Sequence, residues 1–158
     1  MTNSDSITLR KPARIVLLED ESLLADLYEM CIRDWFKDVE IVKFTDGDAA
    51  WRELLRAEPD MLIMDWNHPG LNGHEILDQL AAKKAGYVIL LTSELFSSEM
   101  KPAFSRDLKL CYLPKPFGIV QFWQALNDHI GPSDFEELIA SLSSCRLRLC
   151  PGCRFQAR

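Results

Sequence analysis

Chemically active side chains follow four separate apolar runs of this sequence, each at the point where the run ends. They are Glu19, Asp20 and Glu21 after the first run, Asp65 after the third, Thr92 and Ser93 after the fourth, and Lys115 after the fifth. Clustered carboxylates raise one another's pKa unless a cation joins them, and oxygen-only ligands favour Mg²⁺. A hydroxyl and an ammonium group suit the oxygens of a phosphoryl group, which an aspartate can accept as an aspartyl phosphate. If the fold brings these residues together, they predict a Mg²⁺-assisted phosphoryl-acceptor site with Asp65 as the nucleophile.

The elements that must position these groups alternate along the chain. Short apolar runs rich in branched residues predict five strands, at residues 14–19, 39–44, 61–64, 87–91 and 108–113. Helical spacing predicts five helices, at residues 22–36, 47–58, 74–85, 95–106 and 117–130, of which the fourth is weakened by Pro102. The apolar stripes of the first and last helices are Leu23, Leu24, Leu27, Tyr28 and Cys31, and Ile119, Trp123, Leu126 and Ile130.

Strands that alternate with helices predict an α/β fold with a parallel sheet covered on both faces. Five such units fit a doubly wound, flavodoxin-like, five-stranded parallel sheet of order 2-1-3-4-5, flanked by helices and joined by right-handed crossovers. Ligands of such sheets bind at the carboxyl ends of the strands. The acids, the hydroxyls and the lysine would therefore meet at one edge of the sheet.

The composition fits one domain and disfavours several classes of protein. The chain has 158 residues, of which 47% are hydrophobic, enough for one core. Its formal net charge of −6 argues against DNA or RNA as a partner, because phosphate binding needs clustered basic residues. No apolar run has the length of a membrane span, and the N-terminus has no signal-peptide core. We therefore expect a cytoplasmic protein with no membrane contact.

Four sequence blocks resemble, in order, the motifs of the response regulator receiver domain of two-component signalling. The blocks are VLLEDE, MDWNHPGLNG, LLTSE and YLPKPF, and the resemblance covers about residues 12–131. Each block is weak alone, whereas the ordered set is specific. The resemblance implies that Asp65 is phosphorylated by a histidine kinase or a histidine phosphotransfer protein. It also implies a switch with self-catalysed phosphotransfer and dephosphorylation, more than an enzyme.

The resemblance assigns a metal site to the acidic residues. Glu19 and Asp20 take the positions of the family's acidic pair. Asp20, Asp65 and the backbone carbonyl of Asn67 would bind Mg²⁺. Asn67, two residues after the acceptor, also occupies one of two positions that tune the loss of phosphate in the family. The other is Glu94, two residues after Thr92. Asn67 and Glu94 together resemble the pair found in chemotaxis-type single-domain regulators.

The resemblance also implies a switch. Thr92 would bond the phosphoryl group and change position on activation. Lys115 would pair with the same group, ahead of a Lys115–Pro116 peptide that is usually cis in this family. Tyr112 occupies the aromatic position that rotates inward on activation.

The sequence departs from the family's usual pattern at two points. Glu19 replaces the commoner Asp, which keeps the charge but lengthens the side chain. Pro102 falls where the family's fourth helix runs. That helix, with the fifth strand and fifth helix, is the usual signalling face, and many receivers form homodimers through it. The shape of this face and the oligomeric state are therefore left open.

Several other side chains have two interpretations. His68 and His74 flank the loop after Asp65 and could suggest a metal, but we favour exposed loop and helix-start positions. Trp66 suits either a recognition aromatic or a residue that packs at the rim. Phe96 and Phe104 could belong to a partner-binding patch. Core packing is favoured for three further residues, Trp123, Cys31 and Cys111.

The chain is expected to divide into a flexible segment at residues 1–11, a receiver domain at 12–131 and a short extension at 132–158. In the extension, Ser133 and Glu136 have capping-box spacing before an apolar stripe, which predicts a short helix. The basic end could bind zinc, form a redox pair or be a disordered tail, which we favour. It is too short for a DNA-binding output domain. The stripe is Phe135, Leu138, Ile139 and Leu142, and the candidate zinc ligands are Cys145, Cys150, Cys153 and His129.

Two other functions are weighed against the phosphoryl switch. A constitutive binding module would have a vestigial pocket and use its C-terminal helix or tail, but the full set of pocket residues argues against it. A hydrolase with an aspartate nucleophile usually carries a second Asp two residues later as acid or base. Asn67 stands there and cannot serve, and the chain has no nucleotide-binding P-loop motif.

Overall fold

A five-stranded parallel sheet organises residues 13–130, the part of the chain that the computed structural model describes. The strand order is β2-β1-β3-β4-β5, which confirms the predicted sheet. The strands are β1 (Arg14–Leu18), β2 (Glu40–Phe44), β3 (Met61–Asp65), β4 (Val88–Ser93) and β5 (Lys109–Pro114). Side chains of β3 are buried along its whole length, as expected for a central strand covered on both faces.

Helices cover both faces of this sheet. They are α1 (Ser22–Trp35), α2 (Gly47–Arg56), α3 (Gly73–Ala82) and α4 (Ile119–Ile130). One apolar cluster joins α1 and α4 to the sheet, and a second cluster joins α2 and α3 to the opposite face. Local signals fix where two of the helices begin. Asp46 accepts from the Ala49 N–H at the start of α2, and Asn72 forms a reciprocal capping box with Glu75 at the start of α3.

The predicted helix at residues 95–106 is wrong. The β4–β5 connection, residues 94–108, contains only a short 3₁₀ helix at Lys101–Ser105. Pro102 explains why a regular helix does not run through this stretch. Its ring nitrogen has no hydrogen to bond the carbonyl four residues earlier, and its ring crowds that carbonyl. Proline also disfavours helical geometry at the residue before it, so it is tolerated only near a helix start.

Parts of two predicted apolar faces are also wrong. The core residues of α1 include Ala25, Tyr28 and Ile32, while Leu23 is 77% exposed and Leu27 is partly exposed. An amphipathic helix buries a stripe on one side only, and this stripe leaves no room for the other leucines. In α4 the core positions are Phe122 and Leu126, whereas Ile119 is 59% exposed. Trp123 is partly buried against the core, in agreement with the packing role expected for it.

Three further expectations concern the ends of the chain, two cysteines and the membrane. The segments at residues 1–11 and 132–158, including the helix and the cysteines of the extension, lie outside the described residues. Of the predicted reduced core cysteines, Cys31 is free and buried, and Cys111 is free and half-buried. None of the helices in the described part of the chain is long and apolar enough to cross a membrane.

Candidate functional site

The carboxyl ends of β1, β3 and β4 bring together the predicted acceptor Asp65, the hydroxyl of Thr92 and the acidic pair Glu19 and Asp20. Asp65 is the last residue of β3, and the sheet register places it directly beside Thr92 of β4. Glu19 follows β1, and all three side chains are buried. Asp20 is the next residue and is exposed. One carboxylate oxygen from each of Glu19, Asp20 and Asp65 can be chosen so that the three lie within 4.8 Å of one another.

Lys115 reaches this cluster from the end of β5. Its Nζ lies 2.8 Å from Oε2 of Glu19 and 3.5 Å from Oδ2 of Asp65. Its backbone N–H donates to the carbonyl of Ser93 at 2.8 Å, which fixes the start of the loop after β5. The Lys115–Pro116 peptide is cis, as the resemblance implied. The ammonium group is thus held between two buried carboxylates.

Burial controls the protonation of these groups. Burial raises the pKa of Asp65, although the charge of Lys115 and backbone hydrogen bonds from Asn67 and Trp66 oppose it. Burial also raises the pKa of Glu19, against the hydrogen bond and charge of Lys115. For Lys115, burial lowers the pKa, but the hydrogen bond to Glu19 and the two negative charges raise it overall. The lysine therefore stays charged, and it partly offsets the cost of two buried carboxylates.

The carboxylate cluster has the chemistry of a Mg²⁺ site. Hard oxygen ligands on one exposed and two buried carboxylates suit an ion that keeps several waters. Mutual repulsion is an additional reason for a cation, because the charge of Asp65 contributes to the raised pKa of Glu19. Among the described residues, no other group of three His, Cys, Asp or Glu side chains has atoms close enough to hold a metal. Glu19 differs from the other two acids, because Lys115 already holds one of its oxygens.

The hydroxyl of Thr92 points to a further ligand at this site. Its Oγ1 is buried and has no hydrogen-bond partner in the described part of the chain. A buried hydroxyl without a partner costs free energy unless another group bonds it. Since Thr92 lies beside Asp65 in the register, a phosphoryl group on Asp65 is a suitable partner.

Tyr112 lies on β5 at the side of the site and belongs to an aromatic cluster. Its hydroxyl is 3.4 Å from the carbonyl of Ser93. Its ring packs edge-on against Phe96 and Phe104, with centroid distances of 5.2 and 6.4 Å. Phe96 and Phe104 also contact each other, so three rings join β5 to the β4–β5 connection. The tyrosine is half-buried and is the only member of the cluster that also bonds the end of β4.

The loop after Asp65 bends through a position that requires glycine. Gly70 has a φ of +79°, and a Cβ there would lie 2.7 Å from a carboxylate oxygen of Asp48. The neighbouring carbonyl of Pro69 accepts from the N–H of Gly47, which anchors the loop to α2. The turn-forming residues thus carry the chain away from Asp65 and leave its carboxylate at the rim.

The remaining predicted residues lie around this rim. Asn67 and Glu94 are exposed, and Glu94 and Lys115 both line a cavity of about 580 Å³. His74 pairs with Asp78 through Nδ1 at 3.0 Å, which gives it a structural partner on α3. Trp66 packs against Gly73 at the start of α3, so its rim-packing interpretation has a direct contact.

Sequence reasoning missed the ion pair between Glu19 and Lys115. The family resemblance implies a metal role for Glu19 and a phosphoryl-binding role for Lys115, and neither role requires the 2.8 Å contact. Opposite charges at the carboxyl ends of two strands were a visible signal. The contact is hard to infer because β3 and β4 lie between the two residues. Only the combined length of both side chains allows them to meet.

The strand order and the carboxylate cluster identify a doubly wound α/β domain with an acidic site at the carboxyl ends of its strands. The chain belongs to the response regulator receiver domain family, whose sequence profile matches residues 15–127. The transcriptional regulatory protein PdtaR of Mycobacterium tuberculosis is 30% identical over 131 residues, which cover 82% of this chain and 61% of PdtaR. The sensory transduction protein RegX3 of the same species is 32% identical over 104 residues, 65% of this chain and 44% of RegX3. The chain therefore spans only part of the length of these relatives.

Solved structures agree on the fold. Chemotaxis protein CheY4 of Vibrio cholerae superposes with a TM-score of 0.63 at 21% identity, over 74% of this chain and 98% of CheY4. The receiver domain of a sensor histidine kinase from Pseudomonas aeruginosa, solved with a magnesium ion in its active-site cleft, gives 0.63 at 22% identity, over 75% and 97%. Receiver domains act in two-component signalling, interact with histidine kinases or phosphotransfer proteins and bind Mg²⁺ at an acidic pocket.

Proposed function

We propose that this chain is a phospho-accepting response regulator in which Asp65 takes a phosphoryl group from a histidine kinase or phosphotransfer protein. The observation that carries the proposal is the surroundings of one carboxylate. Asp65 is buried at the end of β3, with its Oδ2 3.5 Å from the ammonium group of Lys115. It lies beside the Thr92 hydroxyl, which has no hydrogen-bond partner in the described part of the chain. One oxygen from each of Glu19 and Asp20 lies within 4.8 Å of a carboxylate oxygen of Asp65, close enough for the three to share a metal ion.

In the proposed transfer, a carboxylate oxygen of Asp65 attacks phosphorus and forms a P–O bond. The P–N bond of the donor phosphohistidine breaks, and its electron pair returns to the ring nitrogen. A donor ring that carries a proton on its other nitrogen leaves as neutral imidazole, so the charges balance. Hydrolysis reverses the modification, because water attacks the same phosphorus and releases inorganic phosphate and the carboxylate.

Lys115 has two partners in this scheme. Before transfer its single positive charge partly offsets the charges of Asp65 and Glu19, which opposes the effect of burial on the pKa of the nucleophile. After transfer its ammonium group can bond an oxygen of the phosphoryl group, which carries more charge than the carboxylate it replaces. A preorganised donor aimed at developing negative charge lowers the barrier for transfer.

Glu19, Asp20 and Asp65 are the side chains that would hold Mg²⁺, together with the backbone carbonyl of Asn67. The ion would supply positive charge to the phosphoryl oxygens during transfer. Asp20 is the exposed member and would face the waters that Mg²⁺ retains. Glu19 would contribute only its other carboxylate oxygen, because Oε2 already accepts a hydrogen bond from Lys115.

Thr92 and Tyr112 would convert the modification into a change of surface. The unpartnered hydroxyl of Thr92 would bond the phosphoryl group and draw the end of β4 toward Asp65. The Tyr112 hydroxyl donates to the carbonyl of Ser93, the residue after Thr92, so a shift of the end of β4 would also move the tyrosine ring. The ring packs against the β4–β5 connection, which is the surface that would present the change to a downstream protein. Asn67 and Glu94 are exposed and would set the lifetime of the phosphoryl group by controlling how water reaches it.

The proposal is tested by intact-mass analysis after incubation with acetyl phosphate, with and without Mg²⁺. We expect one phosphoryl adduct that requires Mg²⁺ and is absent from Asp65→Asn. Asp107→Asn serves as the matched control, because Asp107 is an exposed acid of the same type away from the site. Circular dichroism verifies that both variants are folded. No adduct at any time, with acetyl phosphate or with a phosphohistidine donor protein, would overturn the proposal.

A further inference from the structure

A continuous apolar groove lies between α1 and the start of α4. Two depressions, of about 580 and 60 Å³, share Leu27, Tyr28 and Phe117 in their walls. The larger one also borders Lys115, and the smaller one extends to Ile119. We call this feature the α1–α4 groove. It runs from the phosphoacceptor site along the outside of the core.

The walls of the groove are apolar and open to solvent. Leu27 is 45% exposed, and Leu23 and Met30, four residues before it and three after it, extend the same side of α1. Asp26 and Glu29 of the same helix pair with Lys43 of β2. These two acids are therefore directed toward β2. A contiguous exposed apolar surface of this kind marks a place where another segment binds.

The chain itself supplies a segment of matching character directly after α4. Residues 133–142 carry an apolar stripe at helical spacing, and Gly131 and Pro132 separate them from α4. The stripe is Phe135, Leu138, Ile139 and Leu142. A ten-residue amphipathic helix cannot be stable alone in water, so it needs a surface that buries its apolar side.

The length of this segment matches the distance it must cover. The twelve residues of α4, from Ile119 to Ile130, span about 18 Å at 1.5 Å per residue. Residues 133–142 span about 15 Å as a helix, and a two-residue connection is sufficient to join antiparallel helices. If the chain turns back at Gly131–Pro132, the apolar stripe therefore returns along α4 almost to Ile119. That residue lines the groove.

Charge favours the same direction. A segment that runs back along α4 ends near the phosphoacceptor site, where Asp20, Glu21 and Glu94 are exposed. The sequence that follows the segment contains four arginines and no acid: Arg146, Arg148, Arg154 and Arg158. Opposite charges attract within a Debye length of about 8 Å at physiological salt, so the acidic rim favours this direction for the segment.

We propose that residues 133–142 fold back and bind in the α1–α4 groove of the same chain. The segment covers the exposed flank of α1. This docking goes beyond the proposed function and does not depend on it, because it requires no phosphoryl group and no Mg²⁺.

Hydroxyl-radical footprinting of the unphosphorylated full chain tests the proposal. Leu55 on α2 is the internal reference, because it is the same residue type as Leu27 and is similarly exposed at 54%. We expect Leu27 to be labelled several-fold more slowly than Leu55 in the wild-type protein. The double substitution Leu138→Glu with Ile139→Glu should raise the labelling of Leu27 to that of Leu55. Ala140→Glu, off the apolar stripe, should leave Leu27 protected.

Each opposite result would overturn the proposal. Equal labelling of Leu27 and Leu55 in the wild-type chain would mean that the groove is open. Protection that survives the double substitution would mean that another part of the chain covers it. Protection that is lost on dilution would assign the groove to a second copy. Circular dichroism of each variant separates release of the segment from unfolding of the domain.

Discussion

The phosphoacceptor pocket and the β4–β5 connection lie at the same edge of the sheet but are built in different ways. Asp65 and Thr92 are fixed by strand pairing, and Lys115 is held by its contacts with Glu19 and Asp65. The β4–β5 connection has one 3₁₀ helix at Lys101–Ser105 and depends on a cluster of partly exposed rings. The pocket is therefore determined by the sheet, while the connection is determined by local packing.

This difference matters because the two regions have different tasks in the proposed switch. A site for group transfer needs its groups held in place before the reaction, and strand ends provide this. A signalling surface needs two arrangements of similar free energy, so weak and exposed contacts are suitable. Tyr112 connects the two regions, because it bonds the end of β4 and packs against Phe96 and Phe104.

The largest expected effect is in the pocket. Replacing Lys115 by Met should lower the rate of phosphorylation by acetyl phosphate about 10²-fold, because one preorganised donor is lost. The rate is measured by intact mass over time at saturating Mg²⁺. Lys101→Met, an exposed lysine of the β4–β5 connection, is the matched control and should leave the rate unchanged. An unchanged rate in Lys115→Met would remove this residue from the transfer step.

Neutralising the acceptor should stabilise the fold. The pKa of Asp65 is raised by burial, so the folded state favours its protonated form and the ionised form costs stability at neutral pH. Asp65→Asn should therefore increase the free energy of unfolding at pH 7. The gain should shrink as pH falls through the folded pKa and disappear below the ordinary value of 3.8, where both states are protonated. Urea unfolding at several pH values measures it, and a loss of stability at pH 7 would contradict the account.

The aromatic cluster of the connection should contribute less. Phe104→Ala removes two ring contacts and should cost about 1 kcal/mol of unfolding free energy. The same substitution should leave the rate of phosphorylation nearly unchanged, because Phe104 does not touch the pocket. Chemical denaturation and the acetyl phosphate assay measure the two quantities on one sample. A large fall in the rate would show that the connection and the pocket are not separate.

The smallest effect is expected at the proline. Pro102→Ala restores a backbone donor and removes a ring clash, so helical structure should extend into residues 97–101. The net change in stability should be under about 1 kcal/mol, because alanine also increases the entropy of the unfolded chain. Far-ultraviolet circular dichroism and amide exchange detect the added helix. If neither changes, Pro102 is not what prevents a regular helix here.

The sequence predicted the sheet and the positions of the site residues because both depend on simple patterns. Buried parallel strands are continuous apolar runs, and their carboxyl ends gather whatever follows them, as Asp65 and Thr92 illustrate. The face of a helix is harder to predict when its apolar residues extend around it. Leu24 and Leu27 look equivalent in the sequence, yet only Leu24 packs well against the core. The contact between Glu19 and Lys115 depends on the reach of two long side chains, which no periodicity encodes.

We propose Asp65, and neither of the neighbouring acids, as the residue that accepts the phosphoryl group. Borohydride reduces an acyl phosphate to an alcohol, so treatment of the phosphorylated protein marks the acceptor permanently. Peptide mass spectrometry then identifies the residue. We expect Asp65 to be converted to homoserine only after incubation with a phosphodonor and Mg²⁺, while Glu19 and Asp20 are unchanged. Reduction at Glu19 or Asp20, or none in a protein that carries the adduct, would contradict it.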